Sequence, residues 1–292
     1  MELTAGFEHF VRTEEPLAQY TGLKLGGSAE YFAEPTSVDE LAAVVKRSRE
    51  LNIPTRVLGG GSNLLINDDG VPGLVIYLHH PTFSQIEVAG NRLTAGGGAK
   101  LSHVISTAVG QGLAGLEGLA GVPGTIGGAL HGNAGGNGVD IGHRTVEATV
   151  MTRAGEILTR TASDLHFTYR QSSLDELVIL NGVFELEPTD SQELTRRMQK
   201  FWIVQKASQP GGSERMGYLF FDPPGLSASS LIEQAGLKGT KVGGAEICPE
   251  HTNFVIASSD ATASDVVRLA QLVQGRVKEV TGMDLTCQLT IW

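Results

Sequence analysis

Thr55-Arg56-Val57-Leu58-Gly59-Gly60-Gly61-Ser62-Asn63-Leu64-Leu65 is a short β-type run delivered into a glycine turn. Glycine has no Cβ, so successive backbone N–H groups can turn inward and approach an anion such as a pyrophosphate. Ser62 and Asn63 add side-chain donors suited to phosphate oxygens. A triple glycine by itself reads first as a tight hairpin between strands. Its neighbours decide the matter.

Upstream, residues 37–51 have helical periodicity, with Ser37 as N-cap, Glu40 as its capping-box partner and Leu41, Val44 and Val45 on one face; Pro54 ends the segment. Downstream, short strands are expected at residues 74–78, 85–88 and 92–95, then a helix at 100–110 ending on its glycine. Strands return at 146–152, 156–160 and 178–187, followed by a charged helix at 191–205. A punctuated stretch at 208–214 marks a domain boundary. Beyond it, helices at 229–235 and 264–280 and strands at 252–257 and 285–291 make a smaller α+β unit. The fold class is α+β.

Between residues 112 and 142 glycine is too dense for one helix or strand, yet the apolar content argues for an ordered loop system. In Gly118-Leu119-Ala120-Gly121-Val122-Pro123-Gly124-Thr125-Ile126-Gly127-Gly128-Ala129, Pro123 fixes its own φ between glycines that accept dihedrals closed to other residues. Asn133-Ala134-Gly135-Gly136 supplies a second surface of small residues against which a planar ring can lie. With Gly59–Asn63 these segments read as one nucleotide cradle. No GxGxxG opens a helix after a first strand and no GxxxxGK[ST] occurs, so neither a Rossmann fingerprint nor a P-loop is present.

Composition narrows the partners. The chain of 292 residues is 41% hydrophobic and carries a net charge of −10 without a Lys/Arg block, which argues against a grip on nucleic acid or an anionic membrane. Cys248 and Cys287 form neither a disulfide framework nor a CxxC metal motif. The N-terminus lacks the uninterrupted apolar stretch of a secretory signal, and no segment approaches the roughly 20 apolar residues that span a bilayer. A cytoplasmic protein acting on a small molecule is expected.

The sequence resembles the UDP-N-acetylenolpyruvoylglucosamine reductase family. The resemblance rests on Gly-Gly-Gly-Ser-Asn-Leu-Leu at 59–65 and Gly-Leu-Glu-Gly-Leu-Ala-Gly-Val-Pro-Gly-Thr-Ile-Gly-Gly-Ala-Leu-His-Gly-Asn-Ala-Gly-Gly at 115–136. It continues through Tyr169-Arg170-Gln171-Ser172, residues 231–239 and His251-Thr252-Asn253-Phe254, covering nearly the whole chain. It implies an FAD-binding fold of the vanillyl-alcohol-oxidase type: FAD-binding subdomains at residues 1–82 and 83–207, and a substrate domain at 208–292 whose last strand returns to the first subdomain. It further implies NADPH as electron donor, a sugar nucleotide as substrate and a monomer or weak homo-oligomer in peptidoglycan precursor synthesis. The implied FAD contacts are Leu58, Gly59, Gly60, Gly61, Ser62, Asn63, Leu64, Leu65, Gly121, Val122, Pro123, Gly124, Ile126, Gly127, Gly128, Asn133, Ala134, Gly135 and Ile179.

On the catalytic side the resemblance assigns Arg170 to stabilising an enolate-like charge, a task suited to a guanidinium that stays charged. Where the family has Gly-Ser-x-Phe-Lys-Asn-Pro, this chain has Gly217-Tyr218-Leu219-Phe220-Phe221-Asp222-Pro223. Tyr218 thus occupies the place of the proton-donating serine, and a phenol can donate a proton. Phe221 replaces a lysine, and Asp222 puts an acid where an asparagine contacts substrate. Gln288, in Leu285-Thr286-Cys287-Gln288, stands where the family has a glutamate and retains an N–H able to hydrogen-bond a developing oxyanion. Tyr169, Lys206, Asp222 and His251 are the implied substrate contacts. The alternatives are a family member that has lost or changed the activity, and an FAD-dependent sugar or alcohol oxidase of the same superfold.

Overall fold

Ser37 opens the first helix: its side chain accepts the N–H of Glu40, and α1 (Val38–Glu50) buries Leu41, Val44 and Val45 along one face. α2 (Leu101–Gly110), α3 (Ile126–His131), α4 (Ser191–Ala207), α5 (Ala228–Gln234) and α6 (Ala263–Thr281) follow. α6 begins with a reciprocal capping box between Thr262 and Asp265 and stops at Gly282, whose φ of 74° is open to glycine without a Cβ clash. These elements come from a computed structural model that describes residues 2–211 and 215–292.

The chain divides into two units, each discontinuous in sequence. The first comprises Met1–Thr13, Glu30–Gly60 and Pro72–Lys206; the second comprises Glu14–Ala29, Gly61–Val71 and Ala207–Trp292. The contiguous division expected from the sequence puts residues 61–71 with residues 1–82, whereas by contact they group with 207–292. Part of the expected boundary, residues 212–214, lies outside the described residues.

In the first unit, five strands lie in the order Ile157–Thr161, Thr145–Met151, Val178–Glu185, Arg92–Gly96, Ile86–Ala89, all neighbours antiparallel. Against it, Leu101, Val104 and Ile105 of α2 and Ile126 and Leu130 of α3 share one core with Leu93, Val150 and Phe184. Each such side chain contributes roughly 1.5–3 kcal/mol by burial. A second core joins α1 to Leu74, Ile76, Met151 and Val178. Thr55–Leu58, the strand leading into the glycine turn, runs parallel to Leu74–Tyr77 in another sheet.

The second unit has a four-stranded antiparallel sheet in the order Met216–Tyr218, Phe254–Ala257, Ala245–Ile247, Lys241–Val242. Val266, Leu269, Val273 and Val277 of α6 pack with Leu231 and Ile232 of α5, Val255, Leu23 and Leu65. Asp68 reaches α6 from the loop after the glycine turn, its carboxylate accepting the N–H groups of Ala263 at 2.8 Å and Ser264 at 3.0 Å. A negative charge there also suits the helix dipole. No helix among the described residues is long and apolar enough to cross a membrane.

Three expectations need correction. Residues 285–291 do not form a continuous strand; only Thr290–Ile291 does, pairing in parallel with Leu64–Leu65. Before it, Leu285 O accepts from the Gln274 side chain, and Cys287 makes a single antiparallel bridge with Phe220, in which Phe221 N donates to Thr286 O and Gln288 N to Leu219 O. The strand expected at 252–257 starts at Phe254, because residues 251–254 make a turn in which Phe254 N donates to His251 O at 2.8 Å. Glu40 does not close a capping box on Ser37. Its carboxylate accepts the backbone N–H and hydroxyl of Thr36 at 2.7 and 2.9 Å and contacts His9 at 2.9 Å.

Candidate active site

Gly59 and Gly60 leave their strand directly against the second glycine motif. A Cβ on Gly60 would lie 2.9 Å from Gly124 Cα, and one on Gly59 would lie 2.9 Å from Thr125 Oγ1. The two motifs therefore meet main chain to main chain. Backbone bonds extend the wall: Leu101 N donates to Gly124 O at 3.0 Å, Ile126 N to Ala99 O at 2.9 Å and Gly127 N to Gly97 O at 2.8 Å. Gly97 in turn has the carbonyl of Ile179 only 1.9 Å from where its Cβ would be. Gly121 and Gly124 adopt φ of 88° and 123°, values that L side chains rarely reach, on either side of Pro123. The result is a wall lined by backbone groups, the surface a dinucleotide needs for close approach. Ile126, Leu58 and Ile179 are buried behind it; Pro123 and Gly128 are exposed, and Val122, Gly127, Ala134 and Gly135 are half-buried.

Arg170 sits at the tip of a hairpin in which Thr168 pairs with Gln171. Its φ of 58° is left-handed, an uncommon state for a residue with a side chain. Nη1 donates to Gly135 O at 3.1 Å, and the guanidinium carbon lies 5.7 Å from the Tyr169 ring centroid. Arg170 Nε is buried and has no hydrogen-bond partner among the described residues. A buried, unpaired N–H on a permanent cation is the kind of group a ligand carboxylate satisfies. Tyr169 is exposed beside it, and Lys206 is exposed at the end of α4.

In the second unit, Gly61 has φ 60° and would place a Cβ 1.9 Å from Tyr20 O, so this glycine is required by the local backbone. Asn63 Nδ2 donates to Gln288 O at 2.7 Å, and Thr290 N donates to Asn63 O at 3.0 Å. Asn63 thus ties the glycine turn to the C-terminal segment. Leu64 and Leu65 are buried, and Ser62 is half-buried. Tyr218 is half-buried opposite Phe254, the rings edge-to-face with centroids 5.0 Å apart; His251 meets the same ring at 6.3 Å. Gln288 is half-buried, with its main chain held by both Leu219 and Asn63. Burial pushes the thiol of neighbouring Cys287 up. Asp222 is exposed, and its Oδ1 accepts the N–H of Ala228, the first residue of α5, at 2.8 Å.

Comparison with known proteins agrees with this geometry. A family model described as FAD binding domain matches residues 29–161, and one described as UDP-N-acetylenolpyruvoylglucosamine reductase, C-terminal domain, matches residues 209–292. The chain is 40% identical over 284 residues to the UDP-N-acetylenolpyruvoylglucosamine reductase of Rhodopirellula baltica, covering 97% of this chain and 93% of that relative. It is 41% identical over 273 residues to that of Paramagnetospirillum magneticum, covering 93% and 88%. The chain belongs to the UDP-N-acetylenolpyruvoylglucosamine reductase family. The crystal structure of the Thermus caldophilus reductase superposes with a TM-score of 0.83 at 34% identity, covering 97% of this chain and all of that one (100%).

Membership in the reductase family makes this an FAD-dependent oxidoreductase fold of the vanillyl-alcohol-oxidase type with a C-terminal domain, and does not favour the oxidase alternative. The Tyr218–Asp222 segment, which the sequence reading set apart together with Gln288, has partners within the second unit. Phe254 provides an aromatic edge for the larger Tyr218 ring, and Asp222 has a local partner in the first N–H of α5. Sequence reasoning missed Phe254, as well as Thr125, whose hydroxyl faces Gly59 and caps α3, and Gly97. Thr125 carried a readable signal, a threonine directly before a short apolar-glycine turn of helix. Gly97 carried none, because its partner Ile179 is distant in sequence, and the motif that contains Phe254 gave no hint of its contact with Tyr218.

Proposed function

We propose that this protein catalyses the NADPH-driven, FAD-dependent reduction of UDP-N-acetylglucosamine enolpyruvate to UDP-N-acetylmuramate, a step in peptidoglycan precursor synthesis. The observation that carries the reading is the abutment of the two glycine motifs, Gly60 against Gly124, in the first unit that also holds Arg170, whose buried Nε–H has no partner among the described residues. A flavin dinucleotide fits a wall of this kind, since Gly59 and Gly60 abut Thr125 and Gly124 with no room for a Cβ between the motifs, which leaves main-chain groups to meet the ligand. FAD, when bound, supplies the carrier that takes a hydride from NADPH and returns it to the enolpyruvyl double bond.

The chain's own residues do the rest. Arg170 binds the enolpyruvyl carboxylate through its guanidinium and stabilises the charge that grows there. Tyr218 gives its phenolic proton to the neighbouring carbon in the role the family assigns to a serine. Gln288 orients the developing oxyanion by amide hydrogen bonding, without acid chemistry. Tyr169, Lys206 and His251 contact the sugar nucleotide, and Asp222 borders its diphosphate while capping α5. The enzyme works in the cytoplasm as a monomer or weak homo-oligomer, a placement supported by two free thiols, Cys248 and Cys287.

The test is anaerobic. The flavin is reduced with NADPH, UDP-N-acetylglucosamine enolpyruvate is added, and return of oxidised-flavin absorbance is followed. Reoxidation is expected; a flavin that stays reduced overturns the proposal.

A further inference from the structure

Asn133 belongs to the small-residue surface expected to face a cofactor ring, yet the residue is only 2% exposed and both polar atoms of its side chain are engaged within the protein. Nδ2 donates to Thr168 O at 2.8 Å, and Oδ1 accepts the N–H of Gly142 at 3.1 Å. The carbonyl demands a donor and the amide N–H an acceptor, so the partners themselves settle which way the side-chain amide points. Thr168 is the last residue before the Tyr169-Arg170 turn.

The contacts form a closed circuit between two short segments. Asn133 holds the arm that enters the turn, Arg170 Nη1 returns to Gly135 O at 3.1 Å, and Ser172 Oγ on the departing arm donates to His131 O at 2.9 Å. Asn133 and Arg170 both have left-handed backbones, φ 41° and 58°. Such conformations persist where surrounding bonds over-determine them. Asparagine is suited to its place because it tolerates positive φ and offers one donor and one acceptor from a short side chain. Aspartate has the same shape but would set a carboxylate oxygen against the Thr168 carbonyl.

We propose that Asn133 is a positioning residue for Arg170: through Thr168 it holds the hairpin so that the guanidinium is presented to the substrate carboxylate, and it is not itself a cofactor contact. This rests on the role given to Arg170 above.

The experiment uses the FAD-loaded protein and its Asn133→Asp variant, with the two half-reactions measured separately. Reoxidation by UDP-N-acetylglucosamine enolpyruvate is expected to slow at least about 10-fold, while reduction by NADPH and FAD content stay within about two-fold of the parent. In an Arg170→Met background the Asn133→Asp change is expected to add no further loss, as for residues acting through one group. A readout without flavin accompanies these: trypsin cleavage after Arg170 in the apoprotein should quicken by about 10-fold once the hairpin is released. If Asn133→Asp does not fold, Asn133→Gly keeps the positive φ while deleting the amide and is judged by the same measures. Equal slowing of both half-reactions, loss of FAD, or unchanged reoxidation overturns the proposal. Arg170→Met alone separates the two readings: normal reoxidation in that variant removes the role of Arg170 itself, whereas slow reoxidation there beside a normal Asn133→Asp removes only the positioning.

Discussion

The region around Gly60 and Gly124 is built from main chain, whereas the region around Tyr218 and Gln288 is built from side chains. In the first, function follows from atoms that are missing: a single added Cβ at residue 60 would collide with backbone 2.9 Å away. Such a surface has few acceptable sequences, and its motifs match the family's pattern. In the second, the sheet Met216–Tyr218 and Phe254–Ala257 holds its geometry by ladder bonds that do not depend on which side chain projects. The Tyr218 ring is accommodated edge-to-face by Phe254, a contact between side chains that the ladder bonds do not dictate. Backbone sites resist change, and side-chain sites can be re-equipped.

That contrast makes graded predictions. The largest effect should come from Gly97→Ala, whose new Cβ would meet Ile179 O at 1.9 Å. Overpacking against a carbonyl that cannot retreat should cost about 3 kcal/mol and release flavin. Urea unfolding and absorbance of the purified protein check both, and a stable, yellow variant would mean the wall yields more than main-chain packing allows. Next, Tyr218→Phe should leave FAD content intact while slowing substrate-driven reoxidation on the order of 100-fold. Stopped-flow absorbance reads this directly, and an unchanged rate moves the proton source away from the phenol.

Asp222 tests whether a changed side chain in the second region also has a purely local duty. Asp222→Ala removes the acceptor for Ala228 N and should cost about 1 kcal/mol, while Asp222→Asn keeps an oxygen there and should cost less than about 0.5 kcal/mol. Denaturation midpoints distinguish the two, and equal losses would exclude the helix-end role. The smallest effect is expected at Glu40 in the first unit, whose pKa falls from 4.5 to about 2, first through the Thr36 backbone N–H and then through His9. A carboxyl with a depressed folded pKa stabilises the protein above its unfolded value and loses that contribution as pH falls through the folded one. The stability difference between the parent and Glu40→Gln should therefore shrink between pH 4.5 and about 2. A difference that stays constant across that window would show that the charge of Glu40 is immaterial.

Much of this was legible in order of residues. The helix from Ser37, the strand into Gly59 and the ordered glycine segments all follow from local rules, since capping, periodicity and the absence of Cβ act over a few neighbours. Residues 285–289 were misread in extent because an alternating apolar pattern signals a strand without saying how far a partner runs beside it, and here the pairing is a single bridge between Cys287 and Phe220. Glu40 was misread by a single residue, its partner being Thr36 rather than Ser37. Asn63 and Asn133 were expected to face a ligand, yet their side chains bond Gln288 in the first case and Thr168 with Gly142 in the second. No local pattern announces an acceptor 225 residues away.

Composition and motif order alone settled the α+β class and marked two glycine motifs as stretches of exposed main chain, because glycine's permissiveness and helix capping are properties of short segments. Tertiary structure decided that these motifs touch at Gly60 and Gly124, that Arg170 keeps a buried Nε–H without a partner among the described residues, and that residues 61–71 group with the C-terminal unit. Those outcomes depend on which distant segments pack together, and packing is chosen by the whole chain's burial of apolar surface rather than by any one stretch of it.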